Sequence, residues 1–234
     1  MPARPPGDTV RMRNLNFRVP LLAALLLGAV AAHAAPSSTA LRGLVIEGPE
    51  GVLLFQACAG RAASARLLRL EDRTPEAALS VGMQDVRQIM LEPGRPLYVE
   101  FVGAVAGRTA IARQFRRALG TVESCATSPQ DIAPGTLLWA AGNEPVWMLV
   151  ADGAGARLQR PGSPPVRFPA APFRNPVAAD GGQVIDAWSS LDGGTVRVEI
   201  SEQMCSDGRS ESAFGARVSL RYGSQTFEGC AARF

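Results

Sequence analysis

The 234-residue sequence has no lysine, and its only histidine is His33. Without lysine there is no Schiff-base chemistry, no serine–lysine dyad and no phosphate-binding loop of the Gly-Lys type. His33 falls in a segment that reads as a cleaved leader, so the mature chain would hold no imidazole. That removes Ser-His-Asp and Cys-His catalysis and most zinc sites. No Cys-x-x-Cys occurs, and no run has the spaced oxygen ligands of a calcium loop. Excess charge is missing too. The formal +3 includes Arg4, Arg11, Arg13 and Arg18 against Asp8 alone, so the chain after residue 34 is neutral and lacks the uniformly basic character of a nucleic-acid binder. After the leader no apolar run is long enough to span a bilayer.

What is present begins with that leader. Arg13 and Arg18 precede an apolar stretch from Leu21 to Ala32, and Ala32-His33-Ala34 fits a small-x-small cleavage site. Residues 1–34 therefore read as a secretory signal peptide, with translation starting at Met1 or at Met12. No cysteine follows the cleavage point to carry a lipid, so the expected location is periplasmic or secreted, without stable membrane insertion. In such an oxidising compartment the four cysteines, Cys58, Cys125, Cys205 and Cys230, suggest two disulfides among three possible connectivities. Their grouping into an early and a late pair favours Cys58–Cys125 and Cys205–Cys230, worth roughly 4 and 3.5 kcal/mol on a chain-entropy model.

Residues 35–40 read as a flexible tail. Leu44–Ile46 and Val52–Phe55 read as strands around a Gly-Pro turn, and Ala65–Leu70 as a third. The clearest helix starts at Thr74, Pro75 and Glu76. Leu79, Met83, Val86 and Met90 give it one apolar face, and Pro93-Gly94 stops it. Leu97, Val99 and Phe101 alternate with Tyr98 and Glu100, a pattern that predicts a strand buried on one face. Thr109–Leu119 reads as another strand and Val122–Cys125 as a last one. Residues 126–134 look like a linker. Beyond it, strands are expected at 136–140, 146–150, 156–158, 166–168, 184–188, 196–200, 218–222 and 225–228, around a stretch at 161–183 rich in proline and glycine that reads mostly as loop. The fold class is thus all-β with one short helix, in two small domains (41–125 and 135–234), each a small barrel or closed sheet.

Two clusters carry candidate chemistry. In Gly142-Asn143-Glu144-Pro145-Val146-Trp147, a fixed turn precedes a strand, and a carboxylate beside an indole can form a ligand site. In Met204-Cys205-Ser206-Asp207-Gly208-Arg209, Ser206 and Asp207 can pin a tight loop through backbone hydrogen bonds, while Asp207 and Arg209 can face a partner. Asn143, Glu144, Trp147, Asp207 and Arg209 are accordingly the candidate binding residues. A Glu144–Asp207 pair for glycosidic hydrolysis is the one enzymatic alternative, and it depends on a separation the sequence does not give. Arg113, Arg116 and Arg117 read as a solvated basic face. No catalytic residue, metal site or cofactor is assigned.

These runs resemble a known family. Gly142 to Trp147, Cys205 to Ser210 and Gly229-Cys230-Ala231 are similar to the Gly-Asn-Glu-Pro-Phe-Trp, Cys-x-Asp-Gly-Met-Ser and Gly-Cys-Ala motifs of bacterial envelope proteins related to the META/HslJ group. Val146 stands where that pattern has phenylalanine, and Arg209 where it has methionine. More faintly, Phe55-Gln56-Ala57-Cys58, Leu97-Tyr98-Val99 and Cys125 resemble the oligonucleotide-binding-fold domain of NlpE-type lipoproteins, which implies an OB-like barrel for 41–125. The Cys-x-x-Cys and lipid-bearing cysteine of those proteins are missing, so no copper role is carried over, and the fold name implies no nucleic acid. The preferred reading of the whole chain is a non-enzymatic, soluble periplasmic protein of envelope maintenance or stress response that binds an envelope protein or a cell-wall component. A lysozyme-inhibitor-like module and a carrier of a small apolar ligand are the alternatives.

Overall fold

The computed structural model describes residues 38–58, 66–90, 92, 94–120, 125, 135–169, 178–179, 183–189 and 194–234. The leader, the 126–134 linker, residues 122–124 of the strand expected at Val122–Cys125, and part of the proline-rich stretch lie outside the described residues.

Five strands make the barrel of the first sheet: β1 (Thr39–Glu47), β2 (Leu53–Ala57), β3 (Leu67–Asp72), β4 (Leu97–Ala106) and β5 (Thr109–Leu119). β1–β2–β3 is an antiparallel meander. β3 then pairs in parallel with β5, β5 pairs with β4, and β4 pairs with β1. The order 1-2-3-5-4-1 closes a five-stranded barrel of the OB type. β1 starts at Thr39, two residues before the expected domain start at Leu41.

Helix α1 (Ala78–Ile89) connects β3 to β4. It buries Leu79, Met83 and Val86, the face expected from their spacing. Its start differs from expectation. Pro75–Ala77 form a separate 3-10 turn, and Glu76 and Ala77 adopt left-handed backbone angles. The first turn of α1 is satisfied from outside: the Leu79 N–H donates to Thr74 Oγ1 (3.1 Å), and the Ser80 N–H and Oγ donate to Asp72 Oδ2 (2.8 and 2.7 Å). Burial pushes the Asp72 carboxyl up, but these bonds and two from Thr74 outweigh it and hold it below the usual range. The barrel interior is filled by side chains, among them Val45, Phe55, Leu79, Phe101 and Phe115. Phe55 meets Phe101 edge-to-face with centroids 5.2 Å apart.

The strand expected to be half-buried, β4, is buried on both faces. Tyr98 and Glu100 point away from the barrel interior yet are almost inaccessible. The Arg117 Nη2 donates to Glu100 at 2.9 Å, with both side chains under 10% exposed, and the Tyr98 hydroxyl donates to the same carboxylate oxygen. Burial and the Glu100 charge drive the Tyr98 phenol pKa far up. Arg116 and Arg117 both lie over the Phe234 ring, 5.5 Å from its centroid. The solvated arginine face is therefore corrected: Arg113 is exposed, Arg116 half-buried and Arg117 buried. Register gives the reason. Opposite β4, Phe115 and Arg117 pair while Arg116 is skipped, and Ala112 and Gln114 pair while Arg113 is skipped. Each skipped arginine is the extra residue of a β-bulge, so strict alternation fails there.

The second sheet is antiparallel throughout and contains β6 (Thr136–Asn143), β7 (Val146–Asp152), β8 (Gly155–Arg160), β9 (Ser163–Pro169), β10 (Ala178–Ala179), β11 (Gln183–Ser189), β12 (Thr195–Ser201), β15 (Ala216–Tyr222) and β16 (Gln225–Arg233). In the order 10-11-12-15-16-6-7-8-9 it curls into a half-barrel around Trp147, Leu149, Leu158, Phe168, Ile200 and Leu220. β9 lies within the stretch expected to be mostly loop. Its prolines, Pro164, Pro165 and Pro169, are tolerated because β9 is the edge of the sheet. β12 and β15 alternate buried and solvent-facing residues as their sequences predict.

Two short strands from the second half of the chain, β13 (Cys205–Ser206) and β14 (Ser212–Phe214), join the first sheet, with β14 pairing against β5. The chain passes from β14 through Gly215 into β15. A Cβ at Gly215 would lie 2.0 Å from the Phe115 carbonyl oxygen, so only glycine permits this close crossing. Both disulfides, Cys58–Cys125 and Cys205–Cys230, are formed. The second joins β13 of the first sheet to β16 of the second. The described strands all fall in one compact unit spanning residues 36–234.

Candidate functional site

Where the chain leaves the second sheet after β12 to add β13 and β14 to the first, these two strands and their loop wall a cavity of about 560 Å³. This is within the range of small-ligand sites, roughly 300–1,000 Å³. Its floor is the outward face of the second sheet, from Trp139 and Ala141 on β6 and Glu228 and Cys230 on β16. Cys205, Phe214 and the loop from Ser206 to Ser210 form the opposite wall.

Three segments far apart in sequence meet here: 142–144, 205–210 and 228–230. The β6–β7 turn supplies Asn143 and Glu144, with a cis Glu144–Pro145 bond between the paired residues Asn143 and Val146. The 205–210 loop is organised by Asp207. Its Oδ1 accepts the Arg209 N–H (3.0 Å), the Ser210 N–H (2.8 Å) and the Ser210 hydroxyl (2.9 Å). Its Oδ2 accepts Asn143 Nδ2. Gly208 takes a positive φ of 66° within this turn, and its N–H donates to Ser206 Oγ. Partial burial raises the Asp207 pKa, but the donors from Ser210, Arg209 and Asn143 outweigh it and hold the carboxyl below its usual range. A second tie crosses the mouth, where Arg209 Nη1 meets Glu144 Oε1 at 2.6 Å, both side chains about 70% exposed. The Cys205–Cys230 disulfide is the third tie.

Four of the five candidate binding residues, Asn143, Glu144, Asp207 and Arg209, thus line one cavity. Trp147 does not. It is 1% exposed, packs near Phe227, and donates its indole N–H to the Glu228 carbonyl at 3.2 Å. It supports the floor from behind. Gly142 sits opposite Trp147 in the hairpin, and a Cβ there would fall 2.2 Å from the Glu228 oxygen and 2.4 Å from the indole nitrogen. The Gly-x-x-x-x-Trp spacing is therefore a packing requirement, with Asn143 and Glu144 carried on the turn it builds.

Sequence reasoning missed Trp139, Phe214, Arg217 and Glu228. Trp139 stacks on Phe214 with centroids 5.1 Å apart. Its buried ring nitrogen has no hydrogen-bond partner among the described residues. Trp139, Ala141 and Asn143 share one face by period-two alternation, a signal legible once β6 is known to run on to Asn143. No sequence signal marked β14 as part of the first sheet.

Among the described residues no group of three or more His, Cys, Asp or Glu side chains is placed to hold a metal, and no helix is long and apolar enough to cross a membrane. No family model matches the chain, and no curated protein or solved structure shows detectable similarity to it.

Proposed function

We propose that the protein is a non-enzymatic binding protein of the bacterial envelope, exported by its leader, and that this cavity is its binding site. The observation that carries the reading is the convergence of 142–144, 205–210 and 228–230 on one cavity, fixed by Asn143–Asp207, Arg209–Glu144 and the Cys205–Cys230 bond. These are the segments on which the resemblance to META/HslJ-type envelope proteins rests, and their shared location supports that kinship. Two disulfides in a chain this size suit an oxidising compartment.

The rival readings fit less well. Hydrolysis of a glycoside needs one carboxyl group that can carry a proton. It also needs a second carboxylate free to act as nucleophile or base, whereas both Asp207 oxygens are taken up by donors from Ser210, Arg209 and Asn143, and Glu144 is paired with Arg209. A ligand inside the barrel would have to displace Phe55, Phe101 and Phe115.

The test is crosslinking capture from an envelope extract, run in parallel with the native protein and with Ala141→Phe, which fills the cavity from the floor. A partner captured by the native protein and lost with Ala141→Phe is the expected result. Equal capture by both, or capture by neither, contradicts the reading. Should the partner be a lysozyme, Arg209→Ala tests the inhibitor alternative through loss of dose-dependent inhibition.

A further inference from the structure

We propose that the cavity takes a small zwitterion carrying an apolar group, with a short peptide having free amino and carboxyl ends as the best fit. This rests on reading the cavity as a binding site. The argument starts from its charges. Glu144 and Arg209 neutralise one another across the mouth. Asp207 is saturated by Asn143, Ser210 and the Arg209 backbone. Two charged side chains in the lining then remain, Arg217 on β15 and Glu228 on β16, both exposed and neither in an ion pair or hydrogen bond among the described residues.

Arg217 stands opposite Cys230, and Glu228 opposite Ser219, so the two are diagonal neighbours on one face of adjacent strands. The Cα atoms at such positions lie about 7–8 Å apart, and both side chains are long and exposed, so their charged ends have room to adjust to a ligand between them. An extended dipeptide spans up to roughly 7 Å, so its ammonium can meet Glu228 while its carboxylate meets Arg217. Trp139, Phe214 and the disulfide give its side chains an apolar floor.

Other ligand classes meet an obstacle. A polyanion faces Glu144, Asp207 and Glu228 against two arginines. A wholly apolar ligand would desolvate Arg217 and Glu228 without replacing their water. A sugar ring finds one face of Trp139 already covered by Phe214.

The experiment is calorimetric titration of the disulfide-intact protein with three probes: Ala-Leu, N-acetyl-Ala-Leu and Ala-Leu amide. Ala-Leu is expected to bind at least tenfold more tightly than either blocked form. Arg217→Gln should abolish the difference between acid and amide, and Glu228→Gln the difference between free and acetylated amine. Both positions are exposed, and thermal melts verify that the variants are folded. Equal binding of all three probes, or no binding, overturns the proposal. No binding together with loss of the captured partner in Ala141→Phe removes the ligand class and leaves the binding cavity standing. No binding together with equal capture removes both.

Discussion

The barrel and the curled sheet treat their outward faces in opposite ways. On β12 and β15 the outward residues are arginine, serine and glutamate facing water, and the alternation of the sequence is the alternation of the structure. On β4 and β5 the outward residues are also polar, yet Tyr98, Glu100 and Arg117 are sealed in a buried cluster beside Phe234. A strand pattern reports which residues share a face; it does not report whether that face is later covered. The cavity lies near the same seam, where β13 and β14 cross from one sheet to the other.

The comparison is broken most severely at Glu100. Glu100→Ala leaves Arg117 charged and buried without its partner, so unfolding in urea should show a loss of about 3–5 kcal/mol. The same change at Glu199, whose partner Arg197 is exposed, should cost less than about 1 kcal/mol. Replacing Glu100 and Arg117 together by Leu and Met should recover much of the loss, because no uncompensated charge remains.

Removing the tie between the sheets comes next. Cys205→Ala with Cys230→Ala should lower stability by roughly 3.5 kcal/mol on the loop-entropy model. It should also raise hydrogen exchange in 205–214 more than in β12 or β15.

A smaller effect is expected at the start of α1. Asp72→Ala removes the acceptor of the Ser80 N–H and should cost about 1–2 kcal/mol, read by chemical denaturation. Because the folded Asp72 carboxyl sits below its usual range, its contribution is complete above the unfolded pKa of about 4 and is lost as pH falls through the folded value. The stability difference between native protein and Asp72→Asn should therefore shrink under acid. Smallest is Arg209→Ala, which removes an ion pair about 70% exposed and should change stability by about 0.5 kcal/mol or less. A large loss of partner binding without loss of stability would separate recognition from folding at this position.

How far the sequence could be read follows from the same contrast. Period-two alternation and glycine turns located β5, β7, β12 and β15 closely, and the grouping of the cysteines gave both disulfides. Asn143, Glu144, Asp207 and Arg209, which line one cavity, stood out in the sequence because turn chemistry concentrates uncommon polar residues in short runs. The bulges at Arg113 and Arg116 were not legible, since an extra residue in a strand leaves no trace until its partner is known. Nor was the return of residues 212–214 to the first sheet, because three residues carry no period. Trp139 and Phe214 stayed hidden with it, as they meet only across that return.

The most direct test of the account is hydrogen exchange of the native protein with and without its captured partner. Protection concentrated in 142–144, 205–210 and 228–230 is the predicted result. Protection confined to the barrel, with those three segments unchanged, would contradict it.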